Sequence, residues 1–415
     1  MRTTDYLEKI LNARVYDVAH ETPLDRAHRL SRRLGNEVLL KREDLQPVFS
    51  YKLRGAYNRI AHMTESERAR GVIAASAGNH AQGVAFSARH LGLDALIVMP
   101  KTTPAIKVEA VSELGAAVVL NGDNYTEAKR HCDELVQSTG RTIVHPFDDA
   151  LVIAGQGTVG HEILRHKLGA VDAIFVPVGG GGLIAGIASY VKALRPEVEV
   201  IGVEPFEADA MYQSLAMGRR VVLDRVGIFA DGVAVQEVGR LTFPIVQSTV
   251  REIVRVSNDE ICAAIKDIFD DTRSVMEPAG ALAVAGLRTW VERTGTRNAR
   301  LAAILSGANM NFDRLRFVAE RAELGESREA LFGVTIPERP GAFRSFCATI
   351  GRRVVTEFNY RLSGRTQAHI FVGVAIESRD DAVALVALLS SSGHEVADIT
   401  ENEMAKLHVR HMVGG

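Results

Sequence analysis

A chain of 415 residues that is 47% hydrophobic and 24% charged is long enough for two or three cores and too apolar to stay disordered. Its formal net charge of -2 gives no bulk attraction to nucleic acid or to an anionic membrane, so small molecules and further copies of the chain are the expected partners. Three scattered cysteines, Cys132, Cys262 and Cys347, suit neither a disulfide framework nor a zinc cluster, and with no secretory leader or membrane-length apolar run the expected compartment is the cytoplasm.

From Glu37 to about Arg321, short β-rich runs alternate with amphipathic stretches of helical period, which predicts an α/β fold. In chain order, strands are expected at 38–41, 72–75, 95–99, 116–120, 174–178, 200–204 and 301–305. Most are continuous apolar runs, as parallel strands buried on both faces require. Thr103-Pro104 opens a helix that Gly115 closes. The stretch 321–330 turns charged and reads as a connector between a first domain, 1–320, and a second, 331–415. The second domain reads as strand 331–336, helix 341–351, strands 354–360 and 368–376, helix 380–391 and a last strand near 395–399, the βαββαβ order of a ferredoxin-like split domain.

Four loops at strand ends carry the chemistry. Gly179-Gly180-Gly181-Gly182 follows an apolar strand and precedes the helical run from Leu183. Without side chains, its backbone N–H groups and the helix N-terminus make a phosphate cradle; the alternative is a flexible turn. Ser50-Tyr51-Lys52-Leu53-Arg54-Gly55-Ala56 holds a lysine near the cations Lys41, Arg42 and Arg54. Neighbouring charge or desolvation makes such an amine nucleophilic; standing alone, the segment reads first as a solvated surface lysine. Ser76-Ala77-Gly78-Asn79-His80 exposes backbone N–H groups that suit a carboxylate, with the Asn79 amide free for a ring oxygen, or else provides a helix cap through Ser76 or Asn79. His80 reads as a hydrogen-bond partner, not a catalyst. Ser306-Gly307-Ala308-Asn309 ends an apolar strand, where open α/β sheets place ligand contacts, and Ser306 could meet a pyridine nitrogen.

Together, in this order and these contexts, the four loops resemble the signature set of the threonine/serine dehydratase branch of fold-type II pyridoxal-phosphate enzymes. Asp231-Gly232-Val233-Ala234-Val235 and Glu277-Pro278-Ala279-Gly280-Ala281 are similar to two further loops of that family. Beyond them, 334–341, 355–361 and Ala405-Lys406-Leu407-His408-Val409-Arg410 resemble the ACT-like regulatory domain of the biosynthetic threonine dehydratases. The resemblance implies a catalytic domain of the tryptophan synthase β-like kind with open sheets, a smaller subdomain at about 54–155 inserted in the larger one, and a ferredoxin-like ACT-like domain behind it.

It further implies that Lys52 holds pyridoxal 5'-phosphate covalently, that Gly179, Gly180, Gly181, Gly182 and Leu183 bind its phosphate, that Asn79 meets its phenolic oxygen and that Ser306 meets its ring nitrogen. The loop Ser76, Ala77, Gly78 and Asn79 would hold the carboxylate of L-threonine, and Lys52 would take the α-proton. The β-hydroxyl would receive its proton from the cofactor phosphate or from Lys52. The product is 2-oxobutanoate, on the way to isoleucine, with isoleucine the expected effector and Phe358 and Tyr360 its expected contacts, although aromatic residues on such a strand can simply fill a core. Family members hold a divalent cation in a segment resembling 204–210, but Ala210 stands where a third carboxylate would help, which leaves a monovalent ion as the alternative. One ACT-like unit in this sequence implies pairing between subunits, hence a homo-oligomer, a tetramer by resemblance. Two rival readings are a β-replacing relative such as cysteine synthase and a non-catalytic amino-acid sensor.

Overall fold

The computed structural model describes residues 3–167, 169–325, 328–363 and 366–402. It divides into two compact units, Met1–Arg314 and Leu315–Gly415.

The apolar runs of the first unit become ten strands: β1 (Leu24–Arg26), β2 (Glu37–Arg42), β3 (Val72–Ala75), β4 (Ala95–Met99), β5 (Ala117–Leu120), β6 (Thr142–Ile143), β7 (Ala173–Pro177), β8 (Glu199–Pro205), β9 (Glu252–Val256) and β10 (Arg300–Leu305). They form two sheets. The larger, in the order β1-β2-β10-β7-β8-β9, is parallel except for β1, which pairs antiparallel with β2. The smaller, β5-β4-β3-β6, is wholly parallel and is built from chain lying between β2 and β7. Ile174, Val176 and Val200 bury one face of the large sheet against the helices Ala150–Arg165 and Gly182–Leu194. Val72, Ala74, Ile97 and Met99 do the same in the small sheet against the helix Asn79–His90. Buried on both sides, such strands stay continuous in hydrophobicity.

Each of the four loops follows a strand of these sheets. The Lys52 segment follows β2, the Ser76 loop β3, the tetraglycine β7 and the Ser306 loop β10, so all emerge at carboxyl ends, where parallel sheets place their ligands.

In the second unit, β11 (Glu329–Pro337), β12 (Val355–Ser363), β13 (Gln367–Ala375) and β14 (Glu395–Asp398) alternate with the helices Ala342–Ile350 and Arg379–Ser391. The antiparallel order β12-β13-β11-β14 is that of a ferredoxin-like domain. Its core joins Phe332, Val334, Ile370 and Val372 of the sheet to Phe346 and Leu385 of the helices. The stretch read as a connector is instead largely regular: the helix Leu315–Gly325 runs into it and β11 begins at Glu329. The motif Ala405-Lys406-Leu407-His408-Val409-Arg410 lies outside the described residues.

Candidate active site

Lys52 opens the helix Lys52–Ala61, and the loop entering it is stitched to the end of β10. The Tyr51 N–H donates to Ser306 O at 3.3 Å and the Ala308 N–H to Phe49 O at 2.9 Å, while Ser50 and Gly307 form a β-bridge. The half-buried Lys52 donates through Nζ to the Pro146 carbonyl at 3.3 Å.

The helix behind Lys52 is fixed by close packing and by buried charge. Gly55 and Gly155 let it cross the helix Ala150–Arg165: a Cβ on Gly55 would stand 2.4 Å from Gln156, and one on Gly155 2.6 Å from the Arg54 carbonyl. Arg54, fully buried, grips Glu43 through Nε and Nη2 at 2.7 and 2.8 Å and also reaches Glu162. Glu162 in turn accepts from Lys41 and from the Tyr16 hydroxyl. Burial alone would raise the Glu43 carboxyl, but Arg54 and Lys41 hold it below its usual range. Arg42 is paired with Asp44 and Asp25. The cations read in sequence as possible activators of Lys52 are therefore committed to their own carboxylates, and that reading is corrected.

The tetraglycine cannot bear side chains. A Cβ on Gly180 would lie 2.3 Å from the Phe147 ring, one on Gly182 3.0 Å from the Phe147 backbone and one on Gly179 3.0 Å from Val233. Gly181 has φ +94°, a conformation that penalises any other residue. The Gly180 carbonyl accepts from Thr242 Oγ1 at 2.6 Å and from the Gly239 N–H at 3.1 Å. With that carbonyl engaged, the loop offers N–H groups at the start of the helix Gly182–Leu194, an anion cradle.

At the third loop, neither Ser76 nor Asn79 caps the helix. The N-cap residue is Gly78, with no side-chain cap, and Ser76 Oγ accepts from the Gly78 N–H at 3.3 Å. The first-turn N–H groups are thus left for an anion. The Asn79 side chain is held from both ends: Nδ2 donates to Glu277 Oε1 at 2.6 Å, and Oδ1 accepts from Asn309 Nδ2 at 2.6 Å. His80, 3% exposed, shares a hydrogen at 2.7 Å between Nε2 and Val144 O. Burial, with Lys52 adding to it, pushes its pKa down to about 3, so the ring is neutral and Nε2 is the donor. It is a structural partner, though one that reaches across to a strand end and not a local one. Ser306, 4% exposed, donates to Ala279 O at 3.2 Å.

These groups close into one circuit. Lys52 meets Pro146; the adjoining Phe147 walls Gly180 and Gly182; Gly179 abuts Val233. Gly232 faces Ala279, Glu277 and Asn79; Gly307 touches Glu277; and the Ser306 segment returns to Tyr51 and Lys52. An amine, an anion cradle, an amide donor and a hydroxyl thus share one rim, a donor set that fits a phosphorylated aromatic aldehyde. Four residues here, Glu277, Pro146, Phe147 and Thr242, had no role in the sequence reading. Glu277 stood in a family-like loop, and its acidic type was the available signal; Phe147 and Thr242 gave none.

In the segment 204–210, Glu204 accepts from the N–H groups of Met211 and Tyr212 at 2.9 and 2.8 Å, and Asp209 pairs with Arg255 at 3.0 Å. In the second unit, Phe358 and Tyr360 sit on edge strand β12, each 40% exposed, around Phe343 at ring distances of 5.6 and 5.9 Å. Their register partners Val372 and Ile370 belong to the core. They continue the core-facing side of the sheet past the edge of its helical cover and do not fill the core.

Two family models divide the chain: "Pyridoxal-phosphate dependent enzyme" matches residues 15–307 and "C-terminal regulatory domain of Threonine dehydratase" residues 320–409. The biosynthetic L-threonine dehydratase of Burkholderia multivorans is 57% identical over 418 residues, covering 100% of this chain and 82% of that protein. The solved structure of processed threonine deaminase isoform 2 from Solanum lycopersicum is 50% identical with a TM-score of 0.76, covering 78% of this chain and 88% of that one. Maize serine racemase is 30% identical with a TM-score of 0.72 over 75% of this chain and 96% of its own.

Proposed function

The chain belongs to the pyridoxal-phosphate-dependent threonine dehydratases of the biosynthetic kind, and on that premise we propose how its own residues serve the reaction. It dehydrates and deaminates L-threonine to 2-oxobutanoate and ammonia, the first committed step of isoleucine biosynthesis. When bound, pyridoxal phosphate supplies an electron sink for the charge that develops at the substrate's α-carbon.

With pyridoxal phosphate bound, Lys52 would hold it, and its free amine would take the α-proton of threonine as general base. Lys52 is also the chain's own donor for the departing hydroxyl. Gly179, Gly180, Gly181, Gly182 and Leu183 hold the phosphate, Asn79 donates to the ring's phenolic oxygen, and the Ser76, Ala77, Gly78 and Asn79 loop grips the substrate carboxylate. Ser306 would offer the ring nitrogen a neutral hydroxyl. A hydroxyl would not enforce a positive ring as a carboxylate would, which would favour elimination over transamination.

The observation that supports this reading is the closed circuit joining Lys52, the tetraglycine, Asn79 and Ser306. For regulation, the reading is isoleucine binding at the uncovered margin of β12 around Phe358 and Tyr360, completed by the same margin of another subunit in a homo-oligomer, a tetramer. The exposed aromatic cluster on the core-facing side of an edge strand supports it. A monovalent cation near Glu204 belongs to the same reading. Among the described residues no helix is long and apolar enough to cross a membrane, and the reading keeps the enzyme in the cytoplasm.

The test is release of 2-oxobutanoate from L-threonine by the purified, cofactor-loaded protein, with and without isoleucine, beside Lys52→Ala. Release that isoleucine suppresses, and that falls by about 10³-fold or more in the variant, is the expected result. Release unchanged in Lys52→Ala removes that residue from the mechanism, and release indifferent to isoleucine removes the effector.

A further inference from the structure

Glu277 stands directly before the helix Pro278–Thr294, 4% exposed, and no step above uses it. Its place depends on a glycine: a Cβ on Gly307 would come within 2.4 Å of Oε1. Its backbone is tied down, the N–H donating to Gly307 O at 3.3 Å and the carbonyl accepting from Gly280 and Ala281 at 2.8 and 3.1 Å. Among the described residues no lysine or arginine forms an ion pair with it; its side-chain partner is Asn79, at 2.6 Å.

A primary amide has one carbonyl oxygen and two N–H donors. In Asn79 the oxygen is taken by Asn309 Nδ2, itself anchored on Val48 O at 3.0 Å, and one N–H is taken by Glu277. One donor is left, and because both flanking contacts fix the amide plane, its direction is set. We propose that Glu277 is a positioning residue which, by holding one N–H of Asn79, aims the other at the phenolic oxygen of the cofactor ring. This rests on the role given above to Asn79.

Burial above all, helped by Asp231 of the 3-10 turn Asp231–Val233 and opposed by Asn79, Lys107 of the helix Ala105–Glu113 and Lys52, raises the Glu277 carboxyl to about 7. The clamp therefore changes charge across the neutral range, and an ionised acceptor grips the amide harder than a neutral one. Glu277 so links ring retention to pH.

The experiment compares the holoenzyme with E277Q, E277A and N79A by two readouts, the dissociation constant for pyridoxal phosphate and the pH titration of the bound cofactor's visible absorption. N79A and E277A are expected to weaken retention by about tenfold, and E277Q, whose amide oxygen still accepts, by no more than about threefold. E277Q is expected to move the spectral midpoint to lower pH, since a negative charge near the protonated nitrogen joining Lys52 to the cofactor is gone. E277A with wild-type affinity beside a weakened N79A overturns the positioning role while leaving Asn79 in place. N79A with wild-type affinity overturns the Asn79 assignment and the proposal with it. Should E277A fail to fold, E277Q decides alone, and an unmoved midpoint sinks the idea.

Discussion

His80 shows how a buried side chain next to catalytic machinery can matter to stability alone. Its Nδ1 has no hydrogen-bond partner among the described residues, and its Nε2 needs its proton for Val144. A second proton would place an uncompensated charge in a buried site near Lys52, which is why its pKa falls from 6.5 to about 3. Between those values the unfolded chain binds a proton that the folded one refuses, so stability rises with pH across the window and is lost on acidification. Denaturant unfolding at pH 7 and pH 5 should differ by about 2 kcal/mol more in the parent than in His80→Gln, the share of one such group. Equal pH dependence in the two proteins would show that the ring accepts its proton in the folded state. Ser306, by contrast, is buried yet placed at a strand end, and in the proposed function its value lies in being neutral.

Two elements position the cofactor site, and each has a distinct point of failure. At the tetraglycine, the wall is Phe147, itself braced edge-on by His145 at a ring distance of 4.7 Å. Gly180→Ala drives a methyl group into that ring, an overpacking cost of about 1–3 kcal/mol. Cofactor affinity should fall accordingly, and adding Phe147→Ala should recover part of it; no recovery would mean that the loss comes from backbone freedom and not from the clash. In the Lys52 helix, Arg54→Met leaves Glu43 and Glu162 short of their main partner, and breaking such a buried pair costs about 3–5 kcal/mol. The unfolding free energy measures it, and a change within about 0.5 kcal/mol, as at an ordinary surface site, would mean that Lys41 alone satisfies both carboxylates.

What the sequence disclosed about these elements follows from the same physics. Continuous apolar runs gave away seven of the strands, whereas β1 buries a single residue, β6 has two residues, and β9 is interrupted by Arg255. The four loops were legible because a glycine run, a lysine and a strand end each carry a local signature. The pairs Arg54 with Glu162, 108 residues apart, and Asn79 with Glu277, 198 apart, have none, because only tertiary folding brings them together. The aromatic pair on β12 was read from the family resemblance, and its exposure follows from its place on an edge strand, which no pattern within the strand records.

At the scale of the whole molecule, the two units own separate cores, one centred on residues such as Ile174 and Val176 and the other on Phe332 and Phe346. Separate cores can melt separately, so calorimetry of the holoenzyme should resolve two transitions or a broadened one. A ligand that binds only one folded unit stabilises that unit by mass action, about 2.7 kcal/mol at a hundredfold excess over its dissociation constant. Isoleucine should therefore raise the transition of the second unit, and pyridoxal phosphate that of the first. The replacement Phe358→Ala with Tyr360→Ala should abolish the isoleucine shift and leave the cofactor shift standing, because the aromatic margin lies in the second unit and the phosphate cradle in the first. An isoleucine shift that survives both replacements would move the effector site off β12, and one that appears in the cofactor-dependent transition would move it out of the second unit altogether.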